Sequence, residues 1–201
     1  MRFEKSFLAA TEAYADYDRI IPAPYIRGCF KLKEMPEKAE ITITALGFYD
    51  LYINGVRITK GILAPYISNP DQVVVYDNYD ILPYLRQDKN VVGLILGNGF
   101  TNNFGGSTWD FHKASFRAAP KTAFCVETDG KTVLSSKQAL KWAPSPILRD
   151  DYRDGEIYDA RKEILGWNLP ETDDTAWAET IPAEVPKGRC VLAEFEPVKE
   201  Y

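Results

Sequence analysis

Short apolar and β-branched runs alternate with turn residues along most of the chain. The clearest runs cover residues 40–45, 49–53, 56–59, 72–81, 90–96, 122–128 and 131–136. Gly, Pro, Asn and Asp separate them at short intervals, a spacing typical of an antiparallel β-sandwich or barrel. Helical periodicity is scarce, and residues 6–16 are the one segment that fits a short helix. Because long helices do not separate the strands, the pattern argues against a doubly wound parallel sheet.

The dipeptide Asn54-Gly55 marks a first hairpin. It suits a type I′ turn, in which both central residues need positive φ angles. The predicted register places Tyr52 opposite Arg57. In residues 48–53, the strand period of two puts Tyr49 on the inner face with the aliphatic side chains and Tyr52 on the outer face. The two tyrosines therefore do not converge, and we expect a structural hairpin rather than a binding site.

Asp129-Gly130 marks a second hairpin. Its predicted register pairs Val126 with Val133 on one face. The opposite face carries Cys125 and Leu134, so we expect this hairpin to be covered on both sides.

Residues 100–120 break the strand pattern with a long segment rich in Asn, Gly, Ser and aromatic residues. Long structured loops often carry function. Sugar-binding surfaces use flat aromatic faces with Asn and Asp side chains beside them. A structural alternative is that the rings cap one end of the sandwich core. The aromatic residues concerned are Phe100, Phe104, Trp109, Phe111 and Phe116.

The composition is that of an ordinary globular protein, with a net charge of −5. An acidic chain without a basic run argues against nucleic acid as a partner. No apolar run reaches the roughly 20 residues of a membrane span, so we expect no membrane insertion. The three Cys are far apart in sequence and form neither a disulfide framework nor a zinc pattern. Charged residues interrupt the N-terminal apolar patch, so no signal peptide is predicted, and cytoplasmic, periplasmic and secreted locations all stay open.

Motifs for catalysis are scarce. His112 is the single His, and no GxSxG motif accompanies it. Residues 96–100 contain two Gly but not the full pattern of a dinucleotide-binding loop. The densest carboxylate cluster, in residues 150–159, loosely resembles a calcium loop but lacks the spacing of an EF-hand. A solvated acidic loop is the favoured interpretation of that cluster.

Three segments, residues 23–32, 41–100 and 154–177, carry motifs in an order that resembles a known family. The central matches are Gly47, Tyr49, Leu51–Gly55, Leu63–Pro65, Tyr79-Asp80, Asn90 and Gly97–Phe100, and the downstream segment contains DGEIYDAR, a GW pair and DDTAW. Together they resemble the N-terminal β-sandwich of bacterial α-L-rhamnosidases, family 78 glycoside hydrolases. The chain departs from the family where GNGF replaces GDGW and where Leu82-Pro83 replaces a common Thr.

The resemblance implies an all-β fold, an antiparallel β-sandwich of the jelly-roll-like or galactose-binding-like kind with short helical turns. It divides the chain into an N-terminal extension at 1–22, the sandwich at 23–180 and a linker at 181–201. The family's catalytic acid and base lie in a separate (α/α)₆ barrel, so no catalytic residue is expected here. The parent enzyme would invert the configuration at the anomeric carbon of the sugar, with one carboxylate activating a water and a second carboxyl group protonating the leaving oxygen. The expected partners are that barrel, other domains of the parent chain and a rhamnose-containing glycan.

Two alternative functions stay open. The first is a calcium-dependent L-rhamnose-binding module, because some sandwiches of this family bind the sugar through calcium. In that case Asp77 and Asn78 would hold the metal, and no other cofactor is expected. The second is a small self-sufficient glycosidase. The candidate sugar contacts are Asp77, Asn78, Phe100, Asn102, Asn103 and Trp109.

Overall fold

The computed structural model describes residues 5–16, 18–103, 110 and 113–199, and nearly all regular structure in them is β-strand. Short 3-10 turns lie at Leu82–Tyr84 and Ala160–Lys162. The predicted all-β fold with short helical turns is confirmed. The strands are β1 (Phe7–Ala9), β2 (Pro24–Leu32), β3 (Ala39–Leu46), β4 (Phe48–Ile53), β5 (Val56–Arg57), β6 (Val73–Asp80), β7 (Asp88–Gly97), β8 (Lys121–Thr128), β9 (Lys131–Ser135), β10 (Lys141–Pro144), β11 (Ile147–Asp151), β12 (Gly155–Tyr158), β13 (Ala178–Glu179), β14 (Ile181–Ala183) and β15 (Arg189–Leu192).

Two sheets form the sandwich across the described residues. The larger has the order β14-β1-β8-β3-β6-β15, with β9 also paired to β8. The smaller has the order β13-β10-β2-β7-β4-β5. Strand β15 runs parallel to β6, whereas the other pairings of these two sheets are antiparallel. The β11–β12 hairpin forms a small sheet of its own.

One main apolar core lies between the facing sheets. The larger sheet contributes Ile41, Ile43 and Phe124, and the smaller contributes Leu51 and Leu94, all fully or almost fully buried. These side chains come from alternate strand positions, because successive residues of a strand point to opposite faces.

The β4–β5 hairpin follows the predicted register, with Tyr52 opposite Arg57. Burial alternates along β4, and Tyr49 is buried while Tyr52 is half-buried. The Arg57 guanidinium makes its ion pair with Asp50, at 2.6 Å from Nη2 to Oδ1, rather than with Tyr52. The hairpin is therefore structural, as expected.

The second hairpin differs from its predicted register. Val126 lies opposite Leu134, not opposite Val133, because the pairing shifts by one residue between Val126 and Glu127. A bulge of this kind adds one residue to one strand and moves every later pair by one position.

The N-terminal prediction was wrong, because residues 6–16 do not form a helix. Residues 7–9 are strand β1, which pairs with β8 on one side and β14 on the other. The predicted sandwich boundaries at 23 and 180 also do not match the sheets, since β1, β14 and β15 lie outside them. In the part of the chain that the structure describes, no helix has the length and apolarity needed to cross a membrane.

The segment 159–177 packs on the outer face of the smaller sheet. Trp167 stacks on Tyr25 with ring centroids 4.2 Å apart, and its ring lies over Gly93. Arg27, whose side chain is fully buried, binds this segment through Asp174 at 2.8 Å and through the carbonyl oxygen of Leu169 at 2.8 Å. The segment thus forms an outer layer that covers the sheet and is anchored to it by a buried charge.

Candidate functional site

A pocket of about 410 Å³ opens at one end of the sandwich. At this end β3 and β7 finish, and β4, β6 and β8 begin. Several loops that are far apart in sequence therefore meet there. The side chains that shape the pocket are Phe48, Tyr66, Ile67, Asn69, Phe100 and Phe116.

Gly47 makes part of the pocket wall possible. Its φ angle is +100°, and a Cβ at this position would lie only 2.1 Å from the carbonyl oxygen of Gly97. A side chain would therefore push apart the two turns that border the pocket. Gly47, which is one of the family motif residues, thus has a physical role, because it allows the backbones at Gly47 and Gly97 to lie in close contact.

The pocket surface is mainly apolar, and its polar side chains are partly engaged. Ser68 donates its hydroxyl to the carbonyl oxygen of Val73 at 2.8 Å. The Asn69 side-chain oxygen accepts the backbone N–H of Asp71 at 3.0 Å. No Asp, Glu, Lys or Arg is among the described residues that line the pocket. The described lining therefore offers no carboxylate and no ionic contact.

Among the predicted sugar contacts that the structure describes, Phe100 lines this pocket. Its ring packs against Tyr152 of the β11–β12 connection, with centroids 4.9 Å apart at an angle of 59°. Phe48 approaches the same tyrosine at 6.5 Å. Phe100 is thus held between the pocket and the small hairpin.

A largely buried carboxylate lies beside Gly97 and Asn98, just before Phe100 in the chain. Asp150 accepts the backbone N–H of Asn98 at 2.6 Å through Oδ2, and its backbone carbonyl accepts the Asn98 side-chain amide at 2.9 Å. Burial raises the pKa of Asp150 to about 6, while the hydrogen bond from Asn98 opposes the rise and Glu156 and Asp151 add to it. Asn98 replaces the acid of the family's GDGW motif, so the Asn here avoids placing a second carboxylate beside Asp150.

Asn102 and Asn103 are structural rather than open to a ligand. Asn102 is fully buried and accepts the backbone N–H of Ala15 at 2.6 Å. Asn103 is nearly buried and donates its amide to Asp151 at 3.0 Å. Both side chains fasten the loop to neighbouring segments.

Asp77 and Asn78 do not meet at one point, because successive residues of β6 point to opposite faces of the sheet. Asp77 faces inward and accepts the Tyr49 hydroxyl at 2.5 Å, and that hydroxyl also lies 2.9 Å from the Tyr79 hydroxyl. Burial raises the pKa of Asp77, and the hydrogen bond from Tyr49 partly opposes that rise.

Asn78 faces the other way and donates to Glu40 at 3.3 Å. Its backbone carbonyl accepts the Lys60 ammonium at 2.8 Å. The two residues therefore do not fit a calcium site that both would share.

The remaining candidates lie outside the described residues or in turns. Trp109, with Phe104, Phe111 and His112, lies outside the described residues. The acidic cluster in residues 150–159 builds turns, and Asp151 accepts the backbone N–H groups of Arg153 and Asp154 at 2.8 Å each. Among the residues that the structure describes, no group of three or more His, Cys, Asp or Glu could hold a metal ion.

Sequence reasoning missed most of the pocket. Phe48 was assigned to the hairpin's outer face, and Tyr66 and Ile67 were not considered as contacts. The motif at Leu63–Pro65 could have indicated them, since Tyr66 and Ile67 follow it directly. Tyr66 and Ile67 lie in the same pocket as Phe100 because of the order of strands in the sheets, and a single sequence does not reveal that order.

Comparisons with known proteins agree with the fold. An α-L-rhamnosidase of Formosa agariphila is 31% identical over 171 residues, which cover 80% of this chain and 18% of that protein. The structure of α-L-rhamnosidase from Dictyoglumus thermophilum superposes with a TM-score of 0.82 at 32% identity, covering 96% of this chain and 22% of that chain. Streptomyces avermitilis α-L-rhamnosidase complexed with L-rhamnose gives a TM-score of 0.75 at 30% identity, covering 84% of this chain and 17% of that one.

The chain spans about a fifth of the length of the curated relatives it matches. Those relatives are much longer chains with further domains. Residues 34–201 match the family described as the α-L-rhamnosidase N-terminal domain. With the sandwich, its sheet order and the motif segments in place, the chain belongs to the family of α-L-rhamnosidase N-terminal domains.

Proposed function

We propose that this chain is a non-catalytic accessory domain of an α-L-rhamnosidase and that it packs against the other domains of that enzyme. The observation that carries the proposal is the family match over residues 34–201 in a chain that spans only about a fifth of its relatives. The uncharged lining of the 410 Å³ pocket supports a non-catalytic role. Glycoside hydrolysis needs two carboxylates that face one bond, and the described pocket residues supply none.

An exposed apolar surface supports packing against another domain. Seven large apolar side chains are each 38–57% exposed on the loop after β5 and the segment from β15 onward. The two segments touch, since Tyr66 and Phe195 have ring centroids 4.9 Å apart and the Ile62 N–H donates to the carbonyl of Val198 at 2.9 Å. Exposed apolar patches mark interaction sites. We name this surface the apolar patch; its residues are Ile62, Leu63, Tyr66, Ile67, Leu192, Phe195 and Val198.

The test compares the 201-residue chain with the protein encoded by the complete reading frame that contains it. Release of 4-nitrophenol from 4-nitrophenyl α-L-rhamnoside is measured for both proteins. We expect activity from the longer protein and none from the chain alone. Activity of the chain alone would refute the accessory role and favour the self-sufficient glycosidase.

A pair of variants in the longer protein tests the packing surface. Phe195→Asp places a charge in the apolar patch, so we expect the melting temperature to fall more in the longer protein than in the chain alone, where the substitution removes the ring contact with Tyr66. Tyr158→Asp is the matched control, because Tyr158 is 49% exposed and Phe195 is 57% exposed, and Tyr158 lies outside the patch. Equal effects of the two substitutions would count against the patch as the packing surface.

The alternative function is a calcium-dependent L-rhamnose-binding module. One observation favours it: the Asn78 side-chain oxygen is buried and has no hydrogen-bond partner among the described residues. Titration of the chain with L-rhamnose, then with calcium and a chelator, tests it. Binding that is lost on chelation and in Asn78→Ala would support this module, and absence of binding at millimolar sugar would end it.

A further inference from the structure

The pocket at the end of the sandwich has the size of a small-molecule site. Its volume of about 410 Å³ lies within the range of roughly 300–1,000 Å³ that is usual for ligand pockets. An apolar cavity of about 150 Å³ holds one benzene molecule. The pocket therefore has room for two or three rings.

The walls favour flat apolar groups. Phe48, Tyr66, Phe100 and Phe116 come from four separate places in the chain and present aromatic surface to one space. Aromatic rings pair with other rings in offset or edge-to-face arrangements and gain energy beyond simple burial. No charged side chain is present among the described lining residues, so the occupant that fits is neutral.

The polar groups argue against a sugar as the occupant. A pyranose carries several hydroxyls, and each one buried without a partner costs about 1–3 kcal/mol. Ser68 already donates to Val73, and the oxygen of Asn69 already accepts the N–H of Asp71. The other side-chain polar groups of the described lining are the Tyr66 and Thr101 hydroxyls and the Asn69 amide nitrogen. They are fewer than a buried pyranose ring with its hydroxyls requires, whereas a planar aromatic molecule needs few.

We infer that this pocket binds a neutral, planar aromatic small molecule of two or three rings. Such a molecule would contact the rings of Phe48, Tyr66, Phe100 and Phe116. This inference goes beyond the accessory role. Tyr66 and Ile67 belong both to the pocket lining and to the apolar patch, so the inference concerns the chain with that patch uncovered.

The test titrates the 201-residue chain with 2-naphthol, a neutral two-ring phenol, and follows backbone amide signals by NMR. We expect saturable one-to-one binding with shifts of the Gly47 and Thr101 amides, which border the pocket. Tyr66→Ala should weaken binding about tenfold, because a lost aromatic contact of about 1.4 kcal/mol is a tenfold change in Kd. Tyr158→Ala, which removes an equally exposed tyrosine outside the pocket, should leave Kd unchanged.

Three results would overturn the inference. One is the absence of saturable binding, or shifts confined to residues away from the pocket. Another is equal weakening by Tyr66→Ala and Tyr158→Ala, which would indicate surface adsorption. The third is displacement of 2-naphthol by L-rhamnose, which would assign the pocket to a sugar.

Two controls keep the outcome decisive. Phe116→Ala removes a second ring of the wall and should also weaken binding, so the conclusion does not depend on one loop residue. Sedimentation of the free chain at the NMR concentration tests whether a second copy fills the site. The small-molecule site would be refuted if the chain does not bind 2-naphthol and forms a dimer that Tyr66→Ala dissociates. This surface would then be assigned to the second copy.

Discussion

Replacing Asp174 by Ala should destabilise the chain more than any surface substitution nearby. The Arg27 side chain is fully buried, and its Nη1 atom contacts Asp174 at 2.8 Å and the carbonyl oxygen of Thr172 at 2.9 Å. Asp174→Ala leaves a buried guanidinium without its counter-charge. Removal of one partner of a buried pair typically costs about 3–5 kcal/mol.

The expected cost is smaller than that range, since the Asp174 side chain is 25% exposed and water can reach the site. We therefore expect a loss of about 2–3 kcal/mol in the free energy of unfolding. For a chain of this size that loss lowers the melting temperature by roughly 5–10 °C.

Urea unfolding followed by tryptophan fluorescence measures the loss, since Trp177 lies 5.8 Å from the Arg27 guanidinium carbon. The control is Asp173→Ala, which removes the neighbouring carboxylate that accepts the Thr175 N–H in an exposed turn. We expect a clearly smaller effect for this control. A loss for Asp174→Ala no greater than the loss for Asp173→Ala would refute the buried-charge argument.

Three further predictions follow from close contacts and from pKa. Gly93→Ala should cost about 1–3 kcal/mol in a thermal melt, because the added Cβ would lie 2.9 Å from the Trp167 ring; an unchanged melting temperature would contradict this packing. Tyr49→Phe removes the donor to the Asp77 carboxylate and should cost about 1–3 kcal/mol in urea unfolding, and an unshifted urea midpoint would argue against it. Burial raises the pKa of Asp150 from 3.8 to about 6, so the folded state holds this proton more tightly than the unfolded state. The contribution of Asp150 to stability should therefore fall as pH rises from about 4 to 6. Compared with the unchanged chain, Asp150→Asn should lack this contribution and gain up to about 3 kcal/mol above pH 6; parallel pH profiles of the two proteins would disprove this.

Strands could be predicted from sequence wherever the alternation of apolar and polar residues lies within a single strand. Residues 48–53 alternate apolar and polar side chains, and the burial of β4 follows that alternation. The N-terminal strand could not be predicted, because residues 7–9 become a strand only through pairing with β8 and β14. The predicted register of the second hairpin was wrong for a local reason. A one-residue bulge shifts the pairing, and the turn dipeptide does not encode that bulge.

The candidate site was predicted less well than the fold. Phe100 lies in the long loop that the sequence predicts, but Tyr66 and Phe48, which line the same pocket, come from another loop and from the start of β4. Asn102 and Asn103 are residues of a type that often binds sugar hydroxyls. Their side-chain amides instead form hydrogen bonds with Ala15 and Asp151 within the fold. Asp77 and Asn78 were paired because they are neighbours in sequence, although neighbours in a strand point to opposite faces.

Strand β15 has a practical consequence for any attempt to shorten or recombine this domain. It pairs in parallel with β6 over residues 189–192 and so covers the edge of the larger sheet. A truncation after residue 180 would remove β15 and β14 together and leave β6 with a bare row of N–H and C=O groups. Exposed edges of this kind template intermolecular aggregation. Chimaeras between relatives should therefore be joined after Leu192, because the larger sheet then keeps its two outer strands, β14 and β15.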